Sequence, residues 1–325
     1  MEPSPVDLPH QIRKIGIVNS SKSSFVKSYD TRLEQLIALE ERWLAEKGTE
    51  AALTGLFDEL AQDERFDTVR ILDHLQDQPT DFGTRPSHET WKKIAAICSE
   101  NGVDAIFSLA SHETETHFSL KKTKLDQMDM MRDRTRVSAQ EITLETLIEN
   151  GWRIYDPQQR ILVDEFTSNE QIVASAKGVS SVDALQAIDQ RRETLIAQSK
   201  SSGSSYAQRM QPRKLEIQRD YYVVGTKNFE LAHGKIQEGE FQEAVALLEE
   251  EIAHPKPRIS SRACYNLAVL SEYNGNLSAA MNWATKSYDL YEEDVTLDYI
   301  TTLEQRQAQS DVLKAQLAYI GFEDF

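Results

Sequence analysis

TKNFELAHGKIQEGEFQEAVALLEE (226–250) and PRISSRACYNLAVLSEYNGNLSAAMNWATKSYDLY (257–291) carry one pattern twice, 36 residues apart. The first copy reads Leu231-Ala232, Gly239, Phe241, Ala244, Leu248, and the second Leu267-Ala268, Gly275, Leu277, Ala280, Ala284. Each copy places a small residue on a first helix, a glycine at the turn and a small residue on a second helix. Two helices need that arrangement to pack closely and then stack on the next pair. A last helix, about 295–318, carries Leu297, Ile300, Leu303, Val312, Leu313 and Leu317, and is expected to cap the open end.

This pair looks like a tetratricopeptide (TPR) pair. The resemblance implies a binding groove lined by the first helix of each repeat. Its candidate residues are Asn228, Lys235, Cys264 and Ser271, with Asn266 close by. An asparagine amide both donates and accepts, which suits it to hold a peptide backbone. Two repeats and a cap make room for a peptide of a few residues.

Upstream the pattern differs. Lys14–Asn19 is a short apolar run ending in Asn-Ser-Ser, the mark of a buried strand. Leu33, Leu36, Ile37, Trp43 and Leu44 make one helical stripe, and Leu53, Leu56, Phe57 and Leu60 a second after Gly48. Asp67–Leu72 is a second strand, and 76–87, with Pro79, Gly83 and Pro86, reads as a loop. Ser87 is an N-cap for a helix through Trp91, Ile94 and Cys98 that stops near Gly102, and Val103–Leu109 is a third strand. The order β-α-α-β-α-β predicts a helix-covered sheet. The charged 121–136 reads as a loop. Val137–Ile148, Trp152–Tyr155 and Arg160–Val173 read as an antiparallel meander turned at Asn150-Gly151 and at Asp156–Gln159. Ser180 and Asp183 form a capping box that opens a helix, Lys200–Ser205 breaks it, and 206–222 is helical again. The expected organisation is an α/β domain over 1–205, a connecting helix over 206–222 and a helical repeat domain over 223–325.

The net charge of −17 argues against nucleic acid and against anionic membrane surfaces. No run of 18 apolar residues offers a transmembrane helix. Cys98 and Cys264 lie in apolar helical sequence of different domains, so buried free thiols are expected. The N-terminal MEPSPVDLPHQ has no apolar signal core.

Three further pieces carry a family resemblance: KIGIVNSS (14–21), WRIYDPQQRILVDEF (152–166) and YAQRMQPRKLEIQRDYY (206–222). With them the chain resembles the TPR-ended envelope lipoproteins of Bacteroidetes. Their N-terminal domain is similar to the α/β module of curli-secretion-type lipoproteins and of the TolB N-terminal domain. The resemblance implies an exported protein facing the periplasm, anchored to the outer membrane in its full-length precursor, without catalysis or cofactor. The motif at 206–222 maps onto Tyr206, Arg209, Pro212, Arg219, Tyr221 and Tyr222. Tyr206 with Arg209 and Arg219 with Tyr222 are spaced i,i+3, and the motif is expected to weld the two domains together, with an interface hot spot as the other reading.

Chemistry is sparse. Glu113, Glu115 and His117 alternate and would share one strand face, a weak metal candidate with His112 nearby; a solvated strand end is the plainer reading. Lys200-Ser-Ser-Gly-Ser-Ser205 with Arg209 could cradle an anion, but a phosphate loop needs a preceding strand and GxxxxGK[ST], and a polar kink explains it as well. GxSxG and GxGxxG are absent from the sequence. The leading expectation is therefore a non-enzymatic adaptor that binds a protein or peptide through the helical domain. A ligand or metal sensor, or an enzyme, with its site near 108–118 is the second reading, and self-assembly the third.

Overall fold

A computed structural model of the chain describes residues 1–21, 31–72, 82–128, 134–188 and 190–320. A mixed α/β region comes first and a helical region follows. They form two compact units, Pro5–Gln211 and Pro212–Phe325 with Met1–Ser4.

The α/β unit runs β1 (Lys14–Asn19), α1 (Arg32–Leu60), β2 (Thr68–Ile71), α2 (His88–Asn101), β3 (Ala105–Met128), β4 (Arg134–Asp156), β5 (Ile161–Gly178), α3 (Ser181–Gln186) and α4 (Arg191–Gln208). The sheet order is β2-β1-β3-β4-β5, parallel among the first three strands and antiparallel from β3 onward. Strand periodicity splits the core in two. Ile15, Ile17, Phe107 and Leu109 pack with Leu53, Leu56 and Leu60 of α1 and with Tyr206 of α4. Val18 and Ile106 pack with Ile94 and Cys98 of α2. The capping box at Ser180 and Asp183 forms, and Gly102 ends α2 at φ 65°.

Several expectations are corrected, most of them by a tertiary contact. The two stripes of 33–60 lie on one continuous helix. Gly48 does not break it, because its missing side chain accommodates the His112 ring; a Cβ there would sit 2.5 Å from Nε2. Trp43 is exposed and faces Arg192 instead of the core. Asn150-Gly151 is not a turn but the middle of β4, opposite His112 and Ser111 of β3. A Cβ on Gly151 would meet the Phe82 ring at 2.1 Å, so this glycine serves close approach. The charged stretch from 121 pairs as the outer part of the β3–β4 hairpin, with Arg136 Nε on Asp126 Oδ1 at 3.1 Å. Met130 and Met131 lie outside the described residues, as does Pro79 with the first part of the expected 76–87 loop.

Lys200–Ser205 is no break either; α4 runs through it. The serines and glycine let α4 lie against α1. Cβ atoms at Gly203 and Gly55 would sit 1.9 Å from Ala52 O and 2.0 Å from Lys200 O. Both clashes are with backbone, so no side chain can move to relieve them. Gly203→Ala gains about 1 kcal/mol of helix propensity. Overpacking costs about 1–3 kcal/mol or more. The clash is therefore expected to win: the variant should melt several degrees lower in a thermal scan, and an unchanged midpoint would refute the packing argument.

The connecting helix over 206–222 is the last correction. α4 ends at Gln208, and 211–224 form neither helix nor strand apart from a bridge at Arg213. Pro212 lacks an N–H and pushes Gln211 out of helical geometry.

The helical unit runs α5 (Lys227–Glu238), α6 (Phe241–Glu249), α7 (Pro257–Tyr273), α8 (Leu277–Leu290) and α9 (Asp294–Ile320). Gly239 and Gly275 take φ 80° and 79°, the left-handed turn that glycine tolerates. Ala232, Ala244 and Leu248 are buried, as are Ala268, Ala280 and Ala284 at the same places 36 residues on. Tyr299 and Leu303 of α9 close over the second set.

Candidate functional site

In the helical unit the segment after Pro212 occupies the ground expected for a peptide. Tyr222 N donates to Asn266 Oδ1 (2.8 Å), and Asn266 Nδ2 donates to Tyr222 O (2.6 Å). The buried amide of Asn266 thus does hold a peptide backbone, but that of its own chain. The Tyr222 ring packs edge-on to Tyr265 and under Arg262, and its hydroxyl donates to Glu293 (2.8 Å). Burial, then that carboxylate, pushes the Tyr222 hydroxyl up to about 12. Tyr221 Oη meets His233 Nδ1 at 2.8 Å.

Arg219 docks on Glu272 through Nε (3.0 Å) and Nη2 (3.1 Å), and Tyr299 Oη donates to the same carboxylate at 2.7 Å. Arg306 binds it as well. Burial pushes the Glu272 carboxyl up, but these donors outweigh it and leave its pKa below the ordinary value.

The other expected groove residues are occupied differently. Cys264 is in the core. Lys235 is ringed by Glu238, Glu240 and Glu243. Asn228 Nδ2 donates to Glu250 (3.1 Å), and Ser271 Oγ to its own helix at Leu267 O (2.7 Å). A groove of about 520 Å³ stays open, lined by Met1, Leu215, Ile217, Phe241, Val269, Leu270 and Tyr273, with Arg219, Glu272 and Arg306 beside them. Leu215 and Ile217 are each 45% exposed and Tyr273 69%.

The paired motif 206–222 therefore does not lie on one helix. Tyr206 is buried in the α/β unit, stacked on Trp152 (5.0 Å) and Phe166 (6.1 Å), with its hydroxyl donating to Asp164 Oδ2 at 3.0 Å. Arg209 lies over the Phe166 ring at 3.6 Å. Arg219, Tyr221 and Tyr222 serve the helical unit.

The α/β unit holds a second concavity, about 690 Å³, lined by Asn19 and Ser21 after β1, Ile71 and Leu72 at β2, Thr49 and Leu53 of α1, and His112. It lies at the carboxyl ends of parallel strands. Ligands of open α/β sheets are received outside the carboxyl ends of such strands. His112 is 4% exposed, and its Nδ1 lies 2.6 Å from Asn150 Oδ1. Asn150 Nδ2 donates to Ser202 Oγ (3.0 Å), which shares a hydrogen bond with Ser168 Oγ (3.1 Å). Asn150 thus spends its donor on Ser202 and offers His112 an acceptor, so Nδ1 carries the imidazole proton. Nε2 keeps its lone pair and has no partner among the described residues.

Burial lowers the His112 pKa, and the Asn150 bond opposes this without cancelling it. The unfolded chain therefore binds this proton more readily than the folded one. Stability from this group is full above about pH 6.5 and falls with acidification toward the folded pKa, by up to about 1.4 kcal/mol per pH unit. Urea unfolding between pH 7.5 and 5 should show this slope in the native chain and its loss in His112→Phe. Equal slopes would refute it.

The chain His112–Asn150–Ser202–Ser168 was not legible in the sequence, where Asn150 read as a turn and Ser202 as a break. Glu113, Glu115 and His117 do share a face, but it is exposed, with His117 Nε2 3.8 Å from Glu115 Oε1. His112 alternates to the opposite, buried face. Among the described residues no three His, Cys, Asp or Glu side chains are placed to hold a metal ion. Lys200 binds Asp58 (2.8 Å), and Ser202 is committed to Asn150, so the serine run cradles no anion in this arrangement. Cys98 and Cys264 are buried and free; burial pushes the Cys98 thiol up to about 12, far from a reactive thiolate.

Fold and sites together define a two-unit protein, a mixed α/β unit joined to a helical unit with an open apolar groove. The chain belongs to the family described as a domain of unknown function, DUF8603, whose model matches residues 12–222. Residues 230–305 match a second domain of unknown function, DUF6340. No curated protein matches the chain.

Proposed function

We propose that the protein is a non-enzymatic adaptor of the bacterial envelope, which docks a protein or short peptide on a TPR-like helical unit. The observation that carries this reading is the apolar groove, where Leu215, Ile217 and Tyr273 stay exposed beside Phe241 and Val269. Clustered exposed apolar side chains mark interaction surfaces. The 36-residue repeat supports the TPR likeness. Placement in the periplasm rests on the resemblance of 14–21, 152–166 and 206–222 to envelope lipoproteins. Among the described residues no helix is long and apolar enough to cross a membrane. The test is a photo-crosslinking amino acid at Tyr273 in the whole chain, in cells, beside a control at exposed Thr285. A discrete adduct at Tyr273 alone is expected; identical patterns at both sites would defeat the reading.

The second reading, a ligand-sensing α/β unit, is favoured by His112, which lines the 690 Å³ concavity and whose buried Nε2 has no hydrogen-bond partner among the described residues. A small molecule that raises the melting temperature of the native chain but not of His112→Phe would establish it. No such compound in a broad metabolite screen would remove it.

A further inference from the structure

We infer that the outer part of the β3–β4 hairpin docks on the α8–α9 turn of a second copy of this chain, with Leu120, Lys122 and Lys124 of one copy meeting the acidic and apolar side chains of 289–298 in the other. This goes beyond the adaptor reading and does not depend on the groove.

β5 stops at Gly178, opposite Gln140 of β4, and Gln140 in turn lies opposite Lys122 of β3. Beyond that row the hairpin has two strands. A two-stranded ribbon alone is at best marginally stable in water, so it gains from a surface to pack on. At the base of the hairpin Phe118, Ile142 and Leu144 pack with Leu33 and Ile37 of α1. Leu120 continues that face at the strand period, yet is 47% exposed. Lys122 and Lys124 follow at the same spacing. Both are exposed, and neither has a carboxylate partner among the described residues. Residues 121–140 hold six Lys and Arg against three Asp, whereas the rest of the chain holds 30 Lys and Arg against 50 Asp and Glu. The hairpin is a basic island on an acidic molecule.

The complement lies on the same chain. Residues 289–298, DLYEEDVTLD, carry five acids and no Lys or Arg. Glu293 is committed to Tyr222 and to Arg258, which also lies over the Tyr291 ring. Asp289, Glu292, Asp294 and Asp298 are exposed, and their carboxylates have no partner among the described residues. Tyr291, Val295 and Leu297 stand exposed among them. An apolar side chain followed by unpaired lysines thus has a counterpart in apolar side chains flanked by unpaired acids. Opposite potentials of this kind select a partner and fix its register. A nucleic acid or an anionic lipid surface would meet the acidic remainder of the chain as well as the hairpin, so a local acidic turn fits better. The two surfaces differ, so the contact runs head to tail and every copy offers both halves.

The test is light scattering and sedimentation of the whole chain. The native chain is expected to associate at about 0.1 M salt and to dissociate toward about 1 M, as the screening length falls from about 10 Å to about 3 Å. Lys122→Glu with Lys124→Glu, and separately Glu292→Lys with Asp298→Lys, should each weaken association at least about tenfold, because like charges then face one another. Mixed in equal amounts, the two variants should associate again, since the native turn of the first meets the native hairpin of the second. A misfolded variant would not be rescued in this way. A native chain that stays monomeric at every salt concentration would overturn the contact. So would variants that associate as the native chain does, or a mixture that stays monomeric. Capture of a monomeric chain on anionic vesicles, lost with Lys122→Glu and Lys124→Glu, would assign the hairpin to a lipid surface instead.

Discussion

Glu272→Ala is expected to cost the helical unit about 3–5 kcal/mol, the range for removing one partner of a buried ion pair. The carboxylate is 6% exposed and receives Arg219, Tyr299 and Arg306 together. Its loss leaves two guanidinium groups facing each other across the gap and a buried phenol without an acceptor. The loss of Arg219 from this anchor should also loosen the whole segment up to Tyr222. Hydrogen exchange should therefore speed up in α7, and Tyr221 should lose its ordered contact with His233. Glu272→Gln keeps the shape and one acceptor, and should cost less, about 1–3 kcal/mol. The sign with pH follows from the lowered pKa of Glu272. Its contribution is present above the unfolded carboxylate value, about 4.3, and is lost as pH falls through the lower folded value. Urea unfolding with exchange read at α7 tests this. A variant within 1 kcal/mol of the native chain would show that the cluster is a surface decoration, not a clamp.

Tyr206→Ala should destabilise the α/β unit by a comparable amount, about 3–5 kcal/mol, the cost of emptying an aromatic site in a packed core. Tyr206 is 1% exposed and stacks on Trp152 and Phe166. Its hydroxyl is one of the groups offsetting the burial that pushes the Asp164 carboxyl up. Tyr206→Phe keeps the stack and removes that donor, so it should cost about 1–2 kcal/mol. The near-ultraviolet circular dichroism of Trp152 should collapse in the alanine variant and persist in the phenylalanine one. Equal losses in the two variants would assign the energy to the hydroxyl instead of the ring.

Local signals carried much of the architecture. The glycines at 239 and 275 and the alanines spaced 36 apart marked the helical pairs, because a left-handed turn and a close helix contact each admit few residue types. Ser87, Ser180 with Asp183, and Gly102 marked helix ends through bonds that span three or four residues. Lys14–Asn19 and Val103–Leu109 marked the parallel strands by apolar runs buried on both faces.

Apart from the helix that Pro212 ends, the failures were of one kind. Asn150-Gly151 is a turn by propensity, yet Asn150 is needed between His112 and Ser202, and Gly151 under Phe82. Lys200–Ser205 is a break by propensity, yet Gly203 lets α4 approach Ala52. At each place residues from 38 to about 150 positions away decide the outcome, and packing or a buried hydrogen bond outweighs a local preference of about 1 kcal/mol. The sequence by itself determined the α/β-then-helical order, the repeat and most helix ends, since those rest on contacts within a few residues. Only the tertiary structure decided that Asn266 clamps its own chain at Tyr222, that His112 faces the interior with no partner for Nε2 among the described residues, and that the groove is part helix and part irregular segment. Each of those depends on which distant side chain arrives to satisfy a buried polar group.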